Sequence, residues 1–132
     1  MANEIRNKYR TAVAVQASAA ASAGVLSAGT QTVLDNTSSG NGAGCAAATF
    51  YLTVTTAPTS QASAELYVET SIDGTNYSEP RVAGVFSAIK TAAADYACDV
   101  DSIPRYSKWS WKPIGYAMTA KLDAMPIVPE VQ

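Results

Sequence analysis

The sequence predicts an all-β protein, an antiparallel β-sandwich or jelly roll of about eight strands with extended N- and C-terminal arms. Segments in which apolar and polar residues alternate recur along the chain, and a period of two is typical of a strand with one buried face. Turn-forming residues separate these segments at intervals of roughly 8 to 12 residues. This spacing favours short antiparallel strands in two packed sheets.

The clearest alternation lies in residues 64–77, which read AELYVETSIDGTNY. Its apolar positions share one face of a strand, and its Glu and Tyr residues share the other. Asp73 and Gly74 can supply the two left-handed residues of a type I′ turn. We therefore expect a tight hairpin, with residues 77–82 as the return strand.

The same alternation predicts the other strands, at residues 11–16, 30–34, 45–56, 85–90, 96–101, 105–112 and 116–122. Residues 17–28 are rich in Ala and could form a helix, but they lack an apolar stripe and contain Ser and Gly, which favours a loop or irregular strand. Residues 35–44 are nearly all turn formers and predict an exposed, mobile loop. We expect Pro113 to break the strand that precedes it.

A length of 132 residues indicates one domain. We divide it into an N-terminal arm, 1–10, a sandwich domain, 11–124, and an extended tail, 125–132. The tail contains two prolines, which make it neither a good helix nor a central strand. It can dock on its own domain or on a neighbouring subunit, and we favour the neighbour.

Composition favours a subunit of an assembly. Charged residues make up 15% of the chain, compared with roughly 25% in an ordinary soluble domain. A surface with so few charges is typical of a subunit whose faces are covered by neighbours, although a stable monomer is the alternative. The net charge of -2 gives no attraction to nucleic acid or to anionic membranes. No apolar stretch approaches the roughly 18 residues that span a bilayer, and we expect synthesis in a cytoplasm.

The sequence shows no catalytic or cofactor-binding constellation. It contains no His, which excludes Ser-His and Cys-His nucleophile activation and imidazole ligation of metals. Asp99 and Asp101 would share a strand face, but calcium needs further oxygen ligands at turn spacing, so a solvated strand face is favoured. Cys45 and Cys98 are interpreted as small apolar core residues, with a single disulfide between them as the alternative. We expect no enzyme, no cofactor and no metal.

An aromatic face would suit a different function. Tyr67, Tyr77, Trp109 and Trp111 could line a carbohydrate-binding platform on a sandwich. Alternation places both tryptophans on one face of their strand, which instead predicts that they face the core or a subunit interface. A carbohydrate-binding module is therefore kept as an alternative function.

Several segments together resemble a known class of proteins. They are MANEIR with TAVAV near the N-terminus, the central VLDNTSS, the hairpin YVETSIDGTNY and the late RYSKWSWKP. In these segments the chain resembles small β-rich structural proteins of tailed-bacteriophage virions, among them capsid decoration, or cementing, proteins. The resemblance implies a sandwich or jelly-roll subunit on the capsid exterior, with extended termini that clasp neighbouring subunits.

The function that this resemblance implies is stabilisation of the major capsid shell. The partners would be the major capsid protein and further copies of the chain, without direct binding of nucleic acid or membrane. A tail-tube or head-to-tail connector subunit is the alternative within the virion. The residues expected to contact the partner lie in the arm and the tail: Ile5, Arg6, Tyr9, Ile127, Val128 and Val131.

Overall fold

The computed structural model describes residues 5–131, with side chains described for residues 9–129. It is an antiparallel β-sandwich, which confirms the predicted fold class. The described residues form nine strands: β1 (Ile5–Tyr9), β2 (Val13–Ala21), β3 (Leu34–Asp35), β4 (Ala47–Thr56), β5 (Ala62–Ser71), β6 (Arg81–Ile89), β7 (Ala94–Val100), β8 (Tyr106–Ile114) and β9 (Met118–Val131). No helix within residues 5–131 is long and apolar enough to cross a membrane.

The strands form two sheets. The first sheet has the order β1-β9-β4-β7, and β2 also pairs with β9. The second sheet has the order β3-β8-β5-β6. β1 and β2 lie end to end along one side of β9, because β1 pairs with its C-terminal part and β2 with its N-terminal part, while β4 lies on the other side.

The core lies between the two sheets and follows the predicted alternation. Trp109 and Trp111 of β8 are fully buried, as predicted from their shared face. The ring of Phe50, from β4 in the first sheet, packs on Trp109 with 4.1 Å between ring centroids and a tilt of 36°. Such tilted aromatic pairs add about 0.5–1.5 kcal/mol beyond the area that they bury. This contact joins the centres of the two sheets.

The predicted tight turn at Asp73 and Gly74 is wrong. β5 and β6 do pair, but their pairing ends at Val68 and Arg81, so a longer loop joins them. The Asp73 carboxylate organises this loop, since its Oδ1 accepts hydrogen bonds from the backbone N–H groups of Thr75 and Asn76 at 2.8 and 2.9 Å. An Asp side chain often accepts hydrogen bonds from the backbone N–H groups that follow it. Here these hydrogen bonds determine the conformation of the loop in place of a two-residue hairpin turn.

The loop at residues 35–44 is more compact than predicted. Gly42 and the adjoining Cys45 are buried. The backbone of Asp35 accepts a hydrogen bond from the Gly42 N–H at 2.9 Å, and its own N–H donates to Asn41 Oδ1 at 2.9 Å. These side-chain and backbone bonds fold the turn formers onto the end of the sandwich.

Two strand boundaries also differ from the prediction. β2 continues into the Ala-rich segment as far as Ala21 as an irregular strand, with register shifts against β9 between Ala14 and Gln16 and between Gln16 and Ala19. β8 continues through Pro113 to Ile114. The Pro113 carbonyl accepts a hydrogen bond from the Gly24 N–H at 2.7 Å. In an antiparallel strand the N and the C=O of a residue point to the same side. The Pro113 nitrogen therefore faces the irregular segment around Gly24 and not β5, so its lack of an N–H removes no hydrogen bond between β8 and β5.

Gly84 of β6 faces the first sheet and gives a testable packing constraint. A Cβ built on Gly84 would overlap the Cys98 sulfur on β7. We expect Gly84→Ala to lower the free energy of unfolding by roughly 1–3 kcal/mol, the usual cost of overpacking. Because the sulfur is the obstacle, adding Cys98→Ala should reduce that cost. Denaturant unfolding of the two single variants and the double variant measures the coupling, and strictly additive effects would contradict the proposed contact.

The Asp73 loop predicts a dependence of stability on acid. Hydrogen bonds from Asn76 and Thr75 hold the pKa of Asp73 well below its ordinary value of 3.8. A carboxyl group whose pKa is lower in the folded than in the unfolded state stabilises the fold at pH values above its unfolded-state pKa. This contribution is lost as the pH falls towards the folded-state pKa. Below about pH 4, the melting temperature of the wild type should therefore fall more steeply with decreasing pH than that of Asp73→Asn. Parallel pH profiles for the two proteins would refute this assignment.

Candidate partner-binding ribbon and sheet edges

The residues expected to bind a partner meet on one ladder. β1 and the C-terminal part of β9 pair as a two-stranded unit, here named the terminal ribbon, residues 5–9 with 127–131. Its pairs are Ile5 with Val131, Arg6 with Glu130, Asn7 with Pro129, Lys8 with Val128 and Tyr9 with Ile127. All six predicted contact residues belong to this ribbon, although the side chains of Ile5, Arg6 and Val131 lie outside the described ones. Their role in binding stays a prediction.

The outer part of the terminal ribbon extends beyond its neighbouring strand. The last pair between β4 and β9 joins Ala47 and Ile127. Residues 128–131 therefore pair with β1 but have no strand of β4 on their other side. An isolated two-stranded ribbon is marginally stable in water, so a partner that added a strand or a surface here would stabilise it.

The base of the ribbon is attached to the sandwich through Arg10. The Arg10 backbone N–H donates to the Pro126 carbonyl at 2.8 Å, and its guanidinium donates to the Ala43 carbonyl at 3.1 Å. Val128 packs against the edge of the core. Tyr9, at the same base, is 62% exposed. The ribbon thus presents one large aromatic side chain to solvent at a position that the fold holds in place.

The expectation that two prolines exclude a central strand is wrong for the tail. Residues 125–131 are the second half of β9, which lies between β4 and β1 around Ile127. The Pro126 carbonyl points to Arg10, which lies in the gap between β1 and β2. Its missing N–H must face the same gap. The tail lies on its own domain in this chain, and its docking on a neighbour stays a prediction.

One side of the sandwich is closed by residues 22–33, here named the closing segment. It bonds to β2 of the first sheet, where the Ala17 N–H donates to the Thr30 carbonyl at 2.8 Å and the Thr32 N–H donates to the Val15 carbonyl at 3.0 Å. It also bonds to β8 of the second sheet, where the Ser27 N–H donates to the Trp111 carbonyl at 2.8 Å. The facing sides of β2 and β8 are therefore covered.

A buried polar contact fixes the closing segment. The Ser27 hydroxyl donates to Gln16 Oε1 at 2.7 Å and accepts the Trp111 backbone N–H at 3.0 Å. Gln16 is 1% exposed and Ser27 is 6% exposed. A buried polar group without its partner costs about 1–3 kcal/mol. Ser27 therefore satisfies one group from each sheet.

The opposite side of the sandwich, here named the open side, has no counterpart of the closing segment among the described residues, and β6 and β7 meet there directly at Gly84 and Cys98. Among the described strands, β6 pairs only with β5, and β7 pairs only with β4. A cavity of about 230 Å³ lies between these two edges. Its walls come from both sheets and are mostly apolar: Val68, Arg81, Val82, Ala83, Val100, Ser102, Pro104 and Trp109. The open side therefore places two strand edges beside a cavity whose walls include Arg81 and Ser102 as well as apolar side chains.

The acidic residues of this side do not form a metal site in the described part of the chain. Asp95 and Asp99 lie on β7, and Asp101 follows it directly. Asp99 Oδ1 accepts a hydrogen bond from the Thr49 hydroxyl at 2.7 Å. No group of three Asp, Glu or Cys residues in the described part lies close enough to hold a metal ion. These three Asp residues are exposed and give the β7 edge its negative charge.

The aromatic side chains considered for carbohydrate binding do not form an open platform. Trp109 and Trp111 are fully buried. Tyr67 and Tyr77 lie on the outer face of the second sheet, but lysines cover them. Lys112 Nζ lies 4.8 Å from the Tyr67 ring centroid, and Lys108 Nζ lies 4.3 Å from that of Tyr77. Each ring thus has a lysine ammonium over one face, where it competes with the stacking of a sugar.

The two cysteines are separate. Cys45 is buried beside the start of β4, Cys98 is half-buried on β7, and both are free thiols in this structure. Burial raises the pKa of each thiol above its ordinary value. They are therefore poor nucleophiles at neutral pH, which fits their interpretation as apolar packing residues.

The sequence-based reasoning missed the terminal ribbon and the contrast between open and closed sides. The charges of the two edges were visible: Arg6, Lys8 and Arg10 near the start, and Asp95, Asp99 and Asp101 late in the chain. Their placement on opposite edges of one sheet needed the pairing order, which depends on contacts between residues far apart in the sequence.

The closed side gives a prediction for Ser27. Ser27→Ala would leave Gln16 Oε1 and the Trp111 N–H without their buried partner. We expect a loss of roughly 2–4 kcal/mol in the free energy of unfolding, because the cost of an unsatisfied buried group applies to both. The exposed Ser38→Ala is a matched control and should change stability by less than about 0.5 kcal/mol. Chemical denaturation measures both, and equal stabilities would contradict the assigned role.

Comparison with known proteins adds no assignment to this geometry. No protein-family model matches the chain, and neither the curated proteins nor the solved structures contain a match.

Proposed function

We propose that this protein is a non-enzymatic structural subunit of a bacteriophage virion, a decoration protein that binds the outside of the major capsid shell and stabilises it. The proposal rests on the resemblance of its sequence segments to virion proteins and on its low content of charge. It also rests on the terminal ribbon. Binding through this ribbon would leave the sandwich itself unchanged.

The observation that carries the proposal is the reach of the terminal ribbon past β4. Residues 128–131 pair with β1 alone, and Tyr9 stands exposed at the base. Tyr is enriched at the energetically dominant positions of interfaces because it buries a large ring and keeps a polar tip. A ribbon of both chain ends is suited to lie across the joint between two shell subunits.

The mechanism depends on contact area rather than on chemistry. A contact of standard size buries roughly 1,600 Å² in total. Repeated at symmetric positions, even a modest contact adds a large total stability to a shell, because every copy must be released before the subunits beneath it separate. The ribbon would gain order from the same contact.

The alternative within the virion is a tail-tube or head-to-tail connector subunit, in which the chain would form part of a ring. Electron microscopy of the labelled chain on intact virions separates the two locations. The carbohydrate-binding alternative is not favoured by an observation in the described residues, since Trp109 and Trp111 are buried and lysines cover the two tyrosines.

The exposed ring of Tyr9 provides the test. Shells of the virus that encodes this chain, stripped of it, are mixed with purified protein and sedimented, and the bound fraction is measured. Tyr9→Ala should weaken binding by roughly tenfold or more, as expected of an aromatic anchor. Thermal unfolding should be nearly unchanged, because the ring is exposed.

Tyr116→Ala is the matched control. Tyr116 is 43% exposed and lies just before β9, at the end of that strand opposite to the ribbon. We expect it to bind shells like the wild type. The proposal fails if the wild-type chain does not bind stripped shells, or if Tyr9→Ala binds them as tightly as Tyr116→Ala does.

A further inference from the structure

We propose that copies of this chain associate head to tail through the first sheet, with the β1 edge of one copy against the β7 edge of the next. The partner is a second copy of the chain, and the contact goes beyond the proposed function because it needs no shell. It uses the outer backbone edges of β1 and β7, whereas the proposed shell contact uses the Tyr9 ring and residues 128–131, which extend past β4 on the other side of the ribbon.

The outer edges of β1 and β7 are available for pairing among the described strands. Among the described strands, β1 pairs only with β9, and β7 pairs only with β4. The pairing of β7 with β4 runs without a register shift from Ala94 to Val100. A regular edge of this kind exposes unpaired backbone groups and is a template for another strand.

The second sheet does not offer equivalent edges. The closing segment covers β8 on one side. On the other side, the pairing of β6 with β5 is interrupted by two register shifts, and Ala88 has a positive φ of 54°. Bulges and irregular backbone are common means by which edge strands avoid pairing with other chains. The regular edges are therefore those of the first sheet.

The two edges carry charges of opposite sign. β1 and the residue after it carry Arg6, Lys8 and Arg10, and the acid Glu130 lies opposite on β9. β7 and the residue after it carry Asp95, Asp99 and Asp101 without a basic residue. One edge of the sheet is thus basic and the other acidic, in a chain with only 15% charged residues.

This arrangement selects the geometry of association. A symmetric contact of β7 with β7 would bring like charges together, and so would β1 with β1, which is destabilising across a strand pair. A contact of β1 with β7 brings opposite charges together and steers the encounter. Such a contact is heterologous, so the growing assembly keeps one free β1 edge at one end and one free β7 edge at the other until a ring closes.

The experiment exchanges the charges of each edge. One variant, here named the acidic-β1 variant, carries Arg6→Glu and Lys8→Glu. The other, the basic-β7 variant, carries Asp95→Lys and Asp101→Lys. Arg10 and Asp99 are left unchanged because both make hydrogen bonds within the chain. Sedimentation velocity of the purified proteins at low salt measures the size of the assemblies.

We expect the wild type to self-associate, and more weakly as salt is added. Each variant alone should associate at least about tenfold more weakly, because its two edges then carry the same sign. An equimolar mixture of the two variants should recover association, since both kinds of mixed junction again join opposite charges. A chain with all four substitutions should recover it as well.

Controls separate edge effects from a change in net charge. Glu79→Lys and Arg105→Glu reverse exposed charges in loops outside both edges and should associate like the wild type. Circular dichroism and thermal unfolding confirm that each variant is folded. The inference is overturned if the wild type is monomeric at its highest soluble concentration, if either edge variant associates as the wild type does, or if the mixture does not recover. None of these outcomes depends on binding to a shell, so shell binding can fail or succeed separately.

Discussion

The architecture depends on the hydrogen bonding of β9. This 14-residue strand pairs with β1 and β2 along one side and with β4 along the other. It therefore joins the first described strand, β1, to the centre of the first sheet. Pro126 illustrates this dependence on hydrogen bonding. Proline has no N–H, so in a central strand its nitrogen must face a position where no neighbouring carbonyl requires a donor. The gap between β1 and β2 is that place, and the Arg10 N–H, which donates to the Pro126 carbonyl at 2.8 Å, lies within it.

The same strand explains why the two sides of the sandwich differ. Because β2 lies beside β9, the chain that follows β2 crosses to the second sheet on that side and bonds to β8 along its path. Gln16 and Ser27 keep this crossing rigid through buried hydrogen bonds. On the other side the chain crosses through the short turn from β6 to β7 and through residues 101–105 between β7 and β8, and no further described strand pairs with the outer edges of β6 and β7. Closure on one side and openness on the other follow from connectivity.

Much of the fold was predictable from local pattern, and the candidate site was predictable only in part. Alternation identified the buried faces of β4, β5 and β8, because a period of two reports directly which side chains meet the core. It identified Trp109 and Trp111 as core residues for the same reason. Pattern failed at Pro113 and Pro126, where the outcome depends on which neighbour faces the missing N–H. It failed also at Asp73, whose side-chain hydrogen bonds extend a turn that the dipeptide alone would make tight. The pairing of residue 5 with residue 131 left no local signal at all.

The position of opposite charges on the two edges of one sheet has a consequence for the shape of any assembly. Neighbouring strands are rotated by roughly 20–25° relative to one another, so the four-strand path β1-β9-β4-β7 accumulates about 80–100° of twist when a further copy continues the sheet. A junction that continued the sheet ideally would therefore wind the copies into a helix rather than a flat ring. Closure needs a junction that departs from ideal pairing, and the terminal ribbon is the part of the edge that can supply it, because residues 128–131 are not held by β4. In such an assembly the outer part of the ribbon would adjust to the junction, whereas the regular edge of β7 would keep its geometry.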